Sequence, residues 1–224
     1  MSSRPNTTLG INSTYVAGSV NEPDILVYVS EGEKEEIQYL KGLEQYLRGR
    51  NKLSKSIVCV NEKIDKSIVS CSHPLKRMDA LLNYLNLNYP VKPQSMHSYI
   101  ICDLDSGSFK NSDQAKLILL SQNNNINIVL SNPAFQLWLV FHFYTWIREG
   151  IYDDSFNCKK QIEFLERMLK RKLKGYGHGR LDFSKFANRI RNAIDNSISY
   201  QTTVNAIRTD FGTNFMDIVM DMGF

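Results

Sequence analysis

"HSYIICDLD", residues 97–105, is an apolar run that stops on two aspartates, Asp103 and Asp105. A short apolar run closed by polar residues reads as a buried strand, with the aspartates at its C-terminal end. Three other stretches have the same character: "DILVYVS" (24–30), cut off by Glu31-Gly32, "KSIVCV" (55–60) and "INIVLS" (126–131). Helical patterns lie between them. "KEEIQYLKGLEQYLRG" (34–49) carries Ile37, Leu40, Leu43 and Leu47 at helical spacing and ends on Gly49. "HPLKRMDALLNYLN" (73–86) is a second helix, and "SDQAKLILLSQ" (112–122) a third that opens on a Ser/Asp cap. A fourth is predicted over 133–147, with Pro133 in its first turn and Ser131 or Asn132 as its cap. The order β-α-β-α-β-α-β-α predicts an α/β fold, a four-stranded parallel sheet flanked by helices. Right-handed crossovers bring all strand C-termini to one edge, where ligands of such sheets bind.

Composition narrows the class. The chain has 224 residues, 42% hydrophobic and 22% charged, enough for a sizeable core. Residues 1–21 read as a flexible leader without an apolar signal core, 22–150 as the α/β domain and 151–224 as a helical, basic C-terminal region. No apolar stretch reaches membrane-spanning length, so no membrane partner is expected. Cys59, Cys71, Cys102 and Cys158 are scattered with no CxxC pair. This argues against a zinc or disulfide framework and fits a reduced cytoplasm.

The net charge of +4 hides an asymmetry: residues 159–191 hold eleven Lys/Arg against three Asp/Glu. A stripe of this kind can track phosphates, although a solvated helix face gives the same pattern. Within it Lys170, Arg171, Lys172 and Lys174 precede the Gly-rich "KGYGHGR" (174–180). There Tyr176 could stack on a base and Arg180 hold a phosphate. Lys34 stands at the start of the first helix, within reach of a phosphate.

The acidic residues gather in "SEGEKEE" (30–36) and "CDLD" (102–105). The topology brings Glu31, Glu33, Asp103 and Asp105 to one sheet edge, where they repel unless a cation sits among them. Mg²⁺, or Mn²⁺, takes such oxygen ligands and keeps waters for a phosphate substrate. A DxD pair alone is a weak signal; placed after strand three, with Glu-Gly-Glu after strand one, it is a more specific one.

Glu-Gly after strand one and DxD after strand three resemble the Toprim arrangement of topoisomerases, primases and OLD-family nucleases. Together with "SNPAFQLWLVFHF" (131–143), "KGYGHGRLDF" and "GTNFMDIV", they resemble the RloB-like family of bacterial phage-defence proteins. That family includes the second component of AbiL-type abortive-infection systems. The resemblance implies a Toprim-like fold, an AAA/ABC-type ATPase partner encoded nearby, and Glu31, Asp103 and Asp105 as the catalytic and metal-holding set. The family's usual segment has a glutamate where this chain has Gln136, which offers an oxygen donor without charge. The substitution Gln136→Glu is expected to keep or strengthen metal binding.

The leading expectation is therefore a Mg²⁺-dependent nuclease-like phosphodiesterase acting on DNA or RNA in phage defence. The rival is a non-catalytic Toprim-like module that binds nucleic acid, a nucleotide or the ATPase. A phosphoacceptor receiver-like domain shares acids at strands one and three, but it wants a fifth parallel strand with a lysine. His142 reads as a hydrogen-bonded core histidine and Trp138 as core packing.

Overall fold

A computed structural model describes residues 24–63, 73–104, 109–145, 158–177 and 179–224. The 1–21 leader and Asp105 lie outside the described residues. Four parallel strands form the sheet: β1 (Ile25–Ser30), β2 (Ser56–Cys59), β3 (Met96–Asp103) and β4 (Asn127–Asn132). Their order across the sheet is β2-β1-β3-β4, with Tyr28 of β1 opposite Cys59 and Tyr99. The strands read as continuous apolar runs because both faces are covered. Leu26, Tyr28, Tyr99, Ile101 and Val129 face one core, while Val27, Val29, Ile100, Cys102 and Leu130 face the other.

Helix α1 (Glu35–Gly49) packs Tyr39, Leu40, Leu43 and Leu47 on the first face. Helices α2 (Pro74–Asn88) and α3 (Asn111–Asn124) cover the second, through Met78, Leu81, Leu85 and Leu117. Going from β1 to β2 the chain moves outward over one face. From β2 to β3 it moves back over the other, and a reversal of both direction and face keeps one handedness. The order of strands reverses between β1 and β3, so the crevice beyond their C-terminal ends is the expected ligand position.

The sheet has a fifth strand that the four-strand expectation lacks. β5 (Gly212–Thr213) pairs antiparallel with β4, setting Thr213 opposite Ser131. Asn214 continues the cover: its Oδ1 accepts from Leu130 N–H at 2.7 Å and its Nδ2 donates to Ile128 O at 2.8 Å. This blunts an edge strand that would otherwise expose unpaired backbone. A two-residue antiparallel strand is not the fifth parallel strand of a receiver.

The fourth helix is also shorter than expected. Helix α4 spans Gln136–Phe141, and the residues before it form the end of β4 and a cis Asn132–Pro133 bond. Neither Ser131 nor Asn132 caps it. Ser131 Oγ lies 3.0 Å from Thr213 Oγ1, and Asn132 Nδ2 donates to Ile207 O and Asp210 O at 2.8 and 2.9 Å. Both side chains are committed to the C-terminal region instead. Helix α3 likewise starts after Lys110 with no side-chain cap, one residue before the Ser/Asp pair.

Helices dominate the rest: α5 (Cys158–Lys172), α6 (Ile190–Ser197), α7 (Val204–Ile207) and α8 (Phe215–Asp221). Buried Leu165 and Leu169 of α5, Ile190 and Ile194 of α6, and Ile218 of α8 join the first core around α4. Tyr39 sits at the centre of an edge-to-face aromatic cluster with Phe135, Trp138, Phe183, Phe186 and Phe215. No described helix is long and apolar enough to cross a membrane.

Candidate functional site

Strand β1 ends under close control. Asn61 pairs with both backbone groups of Ser30, accepting from its N–H and donating to its carbonyl, each at 2.8 Å. Glu31 N–H still donates to Ile101 O at 2.8 Å, so the ladder with β3 runs one residue past the strand. From there the Glu31 side chain reaches across: its Oε2 accepts from Asp103 N–H at 3.2 Å. Asp103 in turn holds the entry to α4, its Oδ2 accepting from Phe135 N–H at 3.1 Å. Glu31 and Asp103 are thus brought together at the β1–β3 crevice, both half-buried.

The turn that carries Glu31 depends on two neighbours. Gly32 lies against the Glu36 carboxylate, and a Cβ at position 32 would collide with it. Arg77, wholly buried in α2, donates from Nη2 to Glu31 O at 3.4 Å and stands 3.6 Å from Glu33 Oε1. A guanidinium so placed offsets the repulsion among the acids of this turn. Burial, with the charges of Glu31, Asp103 and Glu36, pushes the Cys102 thiol well up, so it stays protonated beneath the site.

Gln136 follows Phe135, and its Nε2 donates to Glu35 Oε2 at 2.9 Å. Glu35 is buried at the start of α1, and its other oxygen accepts from Gly179 N–H at 3.0 Å and Tyr176 O–H at 3.2 Å. Gln38 adds a second clamp, accepting from Leu181 N–H at 2.7 Å and donating to Gly179 O at 3.4 Å. The Gly-rich segment is therefore docked on α1, next to the carboxylate edge. Burial and the Glu35 charge push the Tyr176 phenol far up, keeping it a donor.

Among the basic residues, Lys34 lies against Gly179. Lys170 stands 3.3 Å from Glu166, one turn back, and Lys172 Nζ is 5.1 Å from the centre of the Tyr144 ring. Lys170, Arg171, Lys172, Lys174 and Arg180 are exposed, whereas Tyr176 is only 8% exposed.

His142 is fully buried, with Nδ1 3.0 Å from Trp138 O and Nε2 3.0 Å from the Tyr39 hydroxyl. A carbonyl only accepts, so Nδ1 carries the proton and Tyr39 O–H donates to Nε2. Burial pushes the imidazole down to about 3, so it is neutral and structural.

Among the described residues, no three His, Cys, Asp or Glu side chains group so as to hold a metal ion. The Glu31 and Asp103 carboxylates fit part of the oxygen shell of a hard cation such as Mg²⁺, which keeps several waters. Gln136 Oε1 is buried with no hydrogen-bond partner among the described residues, one position from the N–H that binds Asp103. An acceptor in that state suits a cation or water.

Glu35, Gln38, Asn61 and Arg77 were not singled out by the sequence motifs. The signal for the acids was present: Glu36 leads Leu40, Leu43 and Leu47 at helical spacing, so the first turn of α1 starts on the buried face. Nothing in one sequence marks Arg77, a buried arginine inside a helix that reads as ordinarily amphipathic.

A family model described as RloB-like protein matches residues 25–222. No curated protein and no solved structure matches the chain.

Proposed function

The chain belongs to the RloB-like family, and from that premise and the geometry of the β1–β3 edge we propose a metal-dependent, nuclease-like effector acting on nucleic acid. It would work in the bacterial cytoplasm, in phage defence by abortive infection, beside an AAA/ABC-type ATPase. One observation carries the reading: the Glu31 carboxylate is drawn to 3.2 Å from the Asp103 backbone at the point where strand order reverses. Two acids held together at that crevice suit a phosphate substrate only with a cation between them.

Glu31, Asp103 and Asp105 would hold Mg²⁺ or Mn²⁺, with Gln136 Oε1 as an uncharged donor at the same wall. When bound, the cation supplies positive charge against phosphoryl oxygens and lowers the pKa of water. The chain's own residues do the rest. Asp103 is oriented by Phe135 N–H, so its carboxylate is set before any ligand arrives. Glu31, half-buried at the crevice, accepts or returns a proton as general base or acid. Exposed Lys170, Arg171, Lys172, Lys174 and Arg180 steer the polyanion towards the edge, with Lys34 at its border.

A second reading, a non-catalytic Toprim-like module, is favoured by Gln136, which brings no charge and gives its amide to Glu35. Incubating the purified protein, with and without the neighbouring ATPase, with DNA, RNA and tRNA in Mn²⁺ separates the two. Cleavage by the native chain and at least a hundredfold loss in Asp103→Asn is expected. Binding without cleavage under every condition favours the module.

A further inference from the structure

The docked Gly-rich segment makes one wall of a cleft on the far side of Glu35 from the carboxylate edge. The cleft has a volume of about 340 Å³ and is lined by Leu173, Tyr176, Leu181 and Phe186 on its apolar side and by Arg180 and Lys185 on its charged side. We propose that it is a binding pocket for one nucleoside phosphate unit, taking the flat base against the apolar side and the phosphate on Arg180 and Lys185. This rests on the reading of the chain as a protein that acts on nucleic acid, and it names the part of the substrate that is recognised.

The volume falls within the range of small-molecule sites and is ample for one base with its sugar. Tyr176 and Phe186 are almost wholly buried, so they form fixed walls rather than mobile flaps. Fixed apolar and aromatic walls suit a base of any identity, since every base has a π-face. Arg180 and Lys185 are both exposed at the rim. The one lining acid, Asp182, is turned to its own backbone: its Oδ1 accepts from Ser184 N–H at 3.1 Å and Ser184 O–H at 2.6 Å. Lys185 Nζ donates to Lys174 O at 3.3 Å, keeping a second exposed cation nearby. The floor also communicates with the site. Tyr176 O–H meets Glu35, Glu35 meets Gln136, and the adjoining Phe135 N–H meets Asp103. A base in the cleft would therefore place its strand beside the carboxylate edge.

A duplex keeps its bases stacked, so this pocket reads single strands or free nucleotides. The test measures anisotropy of a labelled single-stranded oligonucleotide and of its duplex, at one salt concentration and without divalent metal, with AMP as competitor. The native protein should prefer the single strand at least tenfold. Arg180→Ala/Lys185→Ala should erase that preference with an unchanged melting temperature, while Asp103→Asn keeps it. AMP binding that is lost in the double variant, without oligonucleotide preference, supports the pocket with a free nucleotide as its source. Equal affinity for single strand and duplex with no AMP binding overturns the proposal, as does a preference untouched by the double variant. Cleavage is not read here, so loss of nuclease activity and loss of the pocket remain separate results.

Discussion

Gln136 and Glu35 form a donor–acceptor pair in which the amide stands where the family's usual segment has an acid, and the geometry revises what that acid would do. Gln136→Glu removes a donor and sets a second carboxylate against Glu35, within a distance now spanned at 2.9 Å. Near neutral pH the single variant should lose ~3 kcal/mol, the scale of an uncompensated buried charge. The loss should shrink as acid neutralises one partner. Glu35→Gln combined with Gln136→Glu returns one acid and one amide, and urea denaturation should find most of the loss recovered. Additive losses would show that the two side chains do not couple. His142 gives a second prediction at this scale. Its folded pKa of about 3 lies below its unfolded value near 6.5. The stability it contributes is therefore complete above about 6.5 and is lost as the pH falls towards 3. Melting temperature should fall through that range in the native chain, and less steeply in His142→Gln.

Helix α1 links the sheet edge to the C-terminal region, and its packing inverts an ordinary propensity rule. Gly42 faces Phe183, whose ring a Cβ at position 42 would strike. Alanine should raise helix propensity by ~1 kcal/mol, but overpacking costs ~1–3 kcal/mol. Gly42→Ala is thus expected to lower stability, and a rise in melting temperature would mean that Phe183 moves aside freely. Strands and helices up to β4 were legible because each is long enough to show its period and each strand is bounded by polar residues. The start of α4 was not. "SNP" carries ordinary cap signals, yet Ser131 and Asn132 are drawn to Thr213, Ile207 and Asp210, contacts about eighty positions away in sequence. The two residues of β5 are too few to carry a period at all. Glu31 and Asp103 were legible from their place after strands one and three; Glu35 and Arg77, whose roles come from tertiary contact, were not.

Across the whole molecule, the last helix is pinned to the opposite end of the sheet. Asp221 accepts from Lys55 Nζ at 2.6 Å and Tyr99 O–H at 3.0 Å, and lies 2.7 Å from His97 Nδ1. Burial pushes its carboxyl up, but these partners outweigh that and hold it below the usual range. Asp221→Ala should cost ~2 kcal/mol, since it leaves a partly buried lysine without its acceptor. Because α8 and β5 together cover β4, the variant should also aggregate sooner on heating. A melting curve with no shift would show that this clasp carries no weight. The account as a whole rests on the crevice at the other end, where Glu31 and Asp103 meet. Calorimetric titration of Mn²⁺ into the native chain and Asp103→Asn tests it most directly. Saturable binding by the native protein, weakened at least tenfold by the substitution while the melting temperature without metal is kept, is the predicted result. No binding to the native chain, or equal binding to both, would contradict it.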